Sequence, residues 1–242
     1  MYIFLTRLDT HLGHSLEYGN LAGRFPPSKD RWKVPLKPMT WKDRIDRFLS
    51  PFTKVLAAVG VTPDVLTLFG TGLAVGTPWL LLKGEPAWAG FWLLLAGAFD
   101  TLDGALARNQ GLKRPFGAFL DSSMDRISEA IVFAGFILYY YWLQQPADVV
   151  LAFAACLLAQ WVSYTRARAE GLGLECKVGI LTRAGRVFIL AGGLAFGLLH
   201  WALILVAVGS AVTAVQRILH VHRLTETIVP VGRKRSPQPR RR

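Results

Sequence analysis

Cysteine is almost missing from this chain of 242 residues. Cys156 sits inside an apolar run and Cys176 in a loop, and two thiols make neither a disulfide framework nor a zinc set, so both are read as unpaired. Acid is scarce as well: 16 Asp and Glu stand against 28 Lys and Arg, a formal net charge of +12. That excess does not call for nucleic acid as a partner, because the basic residues flank apolar runs, where they meet anionic lipid head groups. No cleavable signal peptide is expected, since MYIFL is too short for an apolar core and polar residues follow it.

The most telling lack is of charge along whole stretches. Val65 to Leu82, Ala87 to Phe99, Ala130 to Pro146 and Val149 to Thr165 hold none, and Val187 to Gln216 contains only His200. With 52% hydrophobic residues and a mean hydropathy of +0.34, such runs describe an all-α polytopic membrane protein. A crossing helix takes ~20 apolar residues, and the last block is long enough for a tight hairpin of two short helices, so six transmembrane helices are expected. Ahead of them, WKDRIDRFLSPF puts Trp41, Ile45, Phe48, Leu49 and Phe52 on one helical face with most charges opposite. That is the pattern of an amphipathic helix lying in the membrane interface. The chain then divides into an arm over 1–40, the interfacial helix over 41–60, the membrane domain over 61–222 and a basic, disordered tail over 223–242 that ends in GRKRSPQPRRR.

Charge placement orients the bundle. With a cytoplasmic arm, the loops at Arg108–Pro115 and Arg166–Arg186 and the tail are cytoplasmic too, and they hold nearly all the remaining Lys and Arg. The loops on the other side hold only Lys83. This asymmetry predicts a protein integral to the cell membrane with both termini in the cytoplasm.

Against this apolar background, Asp100, Asp103, Asp121 and Asp125 stand out, because carboxylates at the end of a membrane segment are costly. The second span runs toward the cytoplasm and the third runs back. In an antiparallel hairpin, residues at equal depth have position numbers of constant sum, a condition nearly met by Asp100 with Asp125 and by Asp103 with Asp121. The four carboxylates are therefore expected to face one another in two layers just under the cytoplasmic surface. Asp100, Asp103, Gly104 and Ala107 form one helical stripe, and Gly117, Asp121 and Asp125 another. Four acids so close repel unless cations neutralise them, and an all-oxygen set suits hard ions such as Mg²⁺ or Mn²⁺. Two ions held by bridging carboxylates would bind a phosphate or pyrophosphate. The small residues beside them leave room for a ligand. A cation channel or transporter with an acidic ion site is the alternative of another class, but it requires no such spacing.

The order Asp, two residues, Asp-Gly, two residues, Ala-Arg, eight residues, Gly, three residues, Asp, three residues, Asp is met at Asp100, Asp103, Gly104, Ala107, Arg108, Gly117, Asp121 and Asp125. It resembles the signature of the CDP-alcohol phosphotransferases, integral membrane enzymes of phospholipid synthesis, over a core from about Thr62 to His222. The resemblance implies transfer of a phosphatidyl or archaetidyl group from a CDP-linked lipid to an alcohol, with release of CMP, and a homodimer. It implies that Asp100, Asp103 and Asp121 ligate both ions, and that Asp125 ligates one and serves as general base. Gly104, Ala107 and Gly117, with Arg108 nearby, resemble the surface that seats cytidine. VTPDVLT resembles the stretch before the family's first span, with Asp64 where many members have Asn and the inositol-phosphate branch has Asp. Read without the family, Asp64 is a helix N-cap.

The acceptor is read from arginines. SYTRARAEGLG and ILTRAGR bring Arg166, Arg168, Arg183 and Arg186 to the carboxylate side, and guanidinium groups bind phosphate through paired donors. Ser163, Tyr164, Ala167, Arg168, Ala169 and Glu170, followed by Arg183 and Arg186, resemble the phosphatidylinositol-phosphate and archaetidylinositol-phosphate synthases. Thr182 stands where that branch usually has Glu. The resemblance implies inositol phosphate as acceptor, bound by Arg168, Arg183 and Arg186, with glycerol phosphate or another alcohol as the alternative. Glu129, one turn beyond Asp125, is read as a buried hydrogen-bonding residue rather than a metal ligand.

Overall fold

The computed structural model describes residues 41–112 and 114–228, and among them there are helices and no strands. The helices are α1 (Trp41–Ala58), α2 (Pro63–Ala74), α3 (Gly76–Leu82), α4 (Pro86–Asn109), α5 (Pro115–Trp142), α6 (Pro146–Gly171), α7 (Arg183–Ala195) and α8 (Leu199–Ile228). The expected arm over 1–40 lies outside the described residues.

Proline and left-handed residues punctuate the chain. α2, α4, α5 and α6 each begin with Pro, whose fixed φ suits the first helical position and whose missing N–H would be unpaired there anyway. After α4 the chain reverses at Gly111, φ +65°, where Leu112 N–H donates to the Ala107 carbonyl at 3.0 Å. This closure consumes carbonyls that would otherwise be orphaned. Pro78 has no N–H for the Ala74 carbonyl, so the helical ladder breaks at Val75 between α2 and α3, which together still make one apolar unit of 20 residues. Thr62, rather than Asp64, caps α2: its hydroxyl accepts from the Val65 N–H at 3.4 Å. With Pro63 already at the first helical position, Asp64 stands two residues past the capping position.

α4 packs between α2 and α7, α6 runs along α8, and α5 joins α6 to the α2–α3 unit. The interior is built on small residues, with Ala89, Ala152, Ala155 and Ala159 fully buried around Phe133, Phe136 and Leu203. Close backbone approach explains the choice: a Cβ on Gly90 would stand 2.7 Å from the Ala191 carbonyl oxygen. Outside, Trp88, Trp142, Phe188 and Trp201 are exposed, an arrangement suited to lipid rather than water.

Among the described residues, four segments are long and apolar enough to cross a membrane: Pro63–Leu82, Pro86–Asn109, Pro146–Gly171 and Leu199–Glu226. The sequence count of six adds α5, which carries Asp121, Asp125, Arg126 and Glu129 within its first 15 residues, and α7, which has only 13 residues. The expected hairpin near His200 is present as α7 and α8, but α8 is not short, at 30 residues. It runs through Ile228, so the segment expected to be a disordered tail from 223 begins as helix. Residues 229–242 lie outside the described residues.

Candidate active site

The turn at Gly111 folds α4 and α5 back on each other and brings their acidic stripes together. Oxygens of Asp100, Asp103 and Asp121 lie within 4.8 Å of one another, a group able to hold a metal ion. Asp103 is the deepest, only 3% exposed, and accepts a hydrogen bond from the Thr67 hydroxyl at 2.5 Å. Asp125 is not in that group. Its Oδ1 lies 2.7 Å from Nη1 of Arg183, which also donates to Asp100 Oδ2 at 2.7 Å. The contact with Asp125 is an ion contact off the hydrogen-bonding direction, so this buried oxygen keeps a lone pair unused.

Of the cavities that adjoin the carboxylates, one lies beside Asp100, Glu129, Arg183 and Arg186, and two others meet at Asp121. The first of these two, about 260 Å³, lies between the start of α2 and the α4–α5 hairpin, and Asp64, Gly104, Ala107, Arg108 and Gly117 all line it. Its cations are tied down. Arg108 donates to both carboxylate oxygens of Asp46 on α1, at 2.8 and 2.7 Å, and Arg114 donates to Asp64 at 2.8 Å. Gly104 gives Arg108 room to fold back over α4, since a Cβ there would stand 2.9 Å from Nη1. The second cavity, about 1000 Å³, opens among α5, α6, the 172–182 segment, α7 and α8. Its lining carries Arg126, Arg166, Lys177, Arg183, Arg186 and Arg217 against Asp121, Asp125 and Glu170. The first is richer in acid, with Asp64, Asp103 and Asp121 against Arg108 and Arg114. Asp121 lines both and so stands in the wall between them.

Arg183 and Arg186 therefore line the basic cavity, while Arg168 is exposed and does not. Arg166 lines it instead, because helix residues two apart point away from each other. Sequence reasoning missed Thr67 and Asp46, which hold Asp103 and Arg108 from outside the pattern. It also missed the grip of Arg183 on Asp100 and Asp125, which joins helices far apart in the chain. The available signal was a match of steps: Asp125 and Glu129 are one turn apart on α5, as are Arg183 and Arg186 on α7. Glu129 accepts two hydrogen bonds from Arg186, from Nε at 2.7 Å and from Nη2 at 3.0 Å.

The family model for CDP-alcohol phosphatidyltransferase matches residues 60–223. The phosphatidylinositol phosphate synthase of Streptomyces avermitilis is 40% identical over 192 residues, which cover 73% of this chain and 79% of the relative. Among solved structures, that of the Mycobacterium tuberculosis phosphatidylinositol phosphate synthase with CDP-DAG bound superposes with a TM-score of 0.67 at 33% identity, covering 72% of this chain and 94% of the other. The same enzyme in complex with manganese and citrate gives a TM-score of 0.68 at 32% identity, covering 75% and 92%.

Proposed function

The chain belongs to the CDP-alcohol phosphatidyltransferase family, and on that premise we propose that it moves the phosphatidyl group of CDP-diacylglycerol to inositol phosphate, releasing CMP. The observation that carries this reading is the wall at Asp121, with an acid-rich cavity on one side and a base-rich cavity on the other. A phosphorylated alcohol is drawn to excess guanidinium and ammonium groups. A pyrophosphate bound with hard cations belongs on the acidic side.

Asp100, Asp103 and Asp121 fit a divalent ion, because they offer oxygens alone, within 4.8 Å of one another, and the buried Oδ1 of Asp125 beside them has a lone pair to spare. These four residues would hold two ions, Mg²⁺ or Mn²⁺. Bound there, the ions would neutralise charge on the pyrophosphate and on the leaving CMP. Asp64, Gly104, Ala107, Arg108 and Gly117 seat the CDP group. In the basic cavity Arg183 and Arg186, with Arg166 in the place expected for Arg168, hold the acceptor's phosphate. Its hydroxyl oxygen attacks the phosphatidyl phosphorus, the bond from that phosphorus to the bridging oxygen breaks, CMP departs, and Asp125 accepts the hydroxyl proton.

In this reading α5 and α7 also cross the membrane, which makes six spans, and α1 lies in the interface on its exposed stripe of Phe48, Phe52 and Val55. The site faces the cytoplasm, and two copies pair as a homodimer. A cation channel or transporter has no observation in its favour.

The test is CMP release from CDP-diacylglycerol by the purified protein in detergent and Mg²⁺, with inositol phosphate, glycerol phosphate, free inositol and serine as acceptors. Inositol phosphate is expected to be used best. Preference for glycerol phosphate would change the acceptor and keep the cavity assignment, whereas preference for a neutral alcohol would remove the phosphate seat. Orientation is tested by a single cysteine at Gln110 in a chain without Cys156 and Cys176; labelling by an impermeant reagent outside intact cells would reverse it.

A further inference from the structure

Glu129 lies outside the aspartate pattern, yet it makes a two-pronged ion pair deep in the protein, its side chain 9% exposed and that of Arg186 only 1%. The pair is the inner of two rungs between α5 and α7. The outer rung is Asp125 with Arg183, one turn earlier on both helices and more exposed. Both rungs tie α5 to α7 through long ionic side chains. Moreover, Glu129 takes only the Nε and Nη2 donors of Arg186, which leaves Nη1 outside the pair on a residue that lines both the cavity beside Glu129 and the basic cavity.

We propose that Glu129 is a positioning residue for the acceptor: by clamping Arg186 along one edge it fixes the guanidinium plane and presents Nη1 to the acceptor's phosphate beside Arg183. This rests on the reading of the basic cavity as the seat of a phosphorylated alcohol. A carboxylate bound to two donors of a planar fork restricts its rotation as a single hydrogen bond does not. Without it, a buried guanidinium has two unsatisfied donors and no fixed direction. Glu129 is not a metal ligand in this scheme, and the three-carboxylate group does not include it.

The full-length protein in detergent serves for the test, with inositol phosphate varied at saturating CDP-diacylglycerol and Mn²⁺ binding followed separately by electron paramagnetic resonance. Glu129→Gln should raise KM for inositol phosphate by about ten-fold or more, the loss expected of a misdirected charged hydrogen bond. KM for CDP-diacylglycerol and the Kd for Mn²⁺ should stay within about two-fold. Exchanging the pair, Glu129→Arg with Arg186→Glu, should restore the melting temperature while KM for inositol phosphate stays high, because the guanidinium then projects from the wrong helix. If the exchange restores KM together with stability, the pair is only a strut and the proposal fails. It fails equally if Glu129→Gln leaves KM unchanged or weakens Mn²⁺ binding. Should Glu129→Gln not fold, Glu129→Asp, which keeps the charge and shortens its reach, is read by the same split between acceptor KM and Mn²⁺ affinity. Wild-type protein that uses free inositol as well as inositol phosphate would instead refute the acceptor reading itself, whatever the variants do.

Discussion

The two cavities that meet at Asp121 are assembled from different kinds of sequence. The smaller one comes from a single hairpin, α4 and α5, closed by the start of α2, and both its cations are held by carboxylates, Arg114 by Asp64 on α2 and Arg108 by Asp46 on α1. The larger one gathers side chains from α5, α6, α7, α8 and the segment between α6 and α7, and leaves an excess of cations. A binding surface made by one hairpin is governed by spacing along the chain. A surface made by four helices is governed by how they pack, and single residues on either side of a helix turn gain or lose access to it.

The shared wall is where the comparison breaks most completely. Asp121→Ala removes a ligand oxygen from the three-carboxylate group and opens one cavity to the other, so activity should be abolished together with Mn²⁺ binding. Retained Mn²⁺ affinity, measured on the purified variant, would separate Asp121 from the metal group. Asp125→Asn comes next: it preserves shape but not the proton acceptor, and turnover should fall at least ~10²-fold while metal binding largely persists. Near-normal turnover would take Asp125 out of that role.

The arginines sharpen the contrast within one cavity. Arg183→Gln or Arg166→Gln should raise KM for inositol phosphate ~10- to 100-fold, the worth of a charged hydrogen bond, with little change in KM for CDP-diacylglycerol. Arg168→Gln should change it much less, because Arg168 is exposed and off the cavity. Equal effects at 166 and 168 would show that the cavity lining is drawn on the wrong face of α6. The smallest effect belongs to the other cavity. Asp46→Asn frees a guanidinium that is itself 37% exposed, so KM for CDP-diacylglycerol should rise only a few-fold, in keeping with ~1 kcal/mol or less for partly exposed pairs. A selective rise in acceptor KM there would mean that Arg108 does not serve the nucleotide side.

Much of the first cavity is legible in the amino-acid sequence, for reasons visible in particular residues. Asp100, Asp103, Asp121 and Asp125 sit on two helices joined by a short turn, so helical periodicity and antiparallel depth alone bring three of them together. The same rules place Gly104, Ala107 and Gly117 on the ligand side. Asp125 shows where they stop, since periodicity cannot say that Arg183, from a helix much later in the chain, reaches it. Arg168 shows the same limit in another form: its guanidinium is right for phosphate, but the face of α6 that meets the cavity was set by packing against α5 and α8.

By itself, then, the sequence determined an all-helical, lipid-facing chain and a hairpin that concentrates carboxylates, because apolar run length, proline and glycine punctuation and the helical repeat act over a few turns at most. The tertiary structure alone decided which cations face those carboxylates, that Glu129 and Arg186 make a buried pair, and that α1 reaches the first cavity through Asp46 and Arg108. Those contacts join residues 50 or more positions apart. Their partners are chosen by the relative rotation of packed helices, and no local periodicity encodes that rotation.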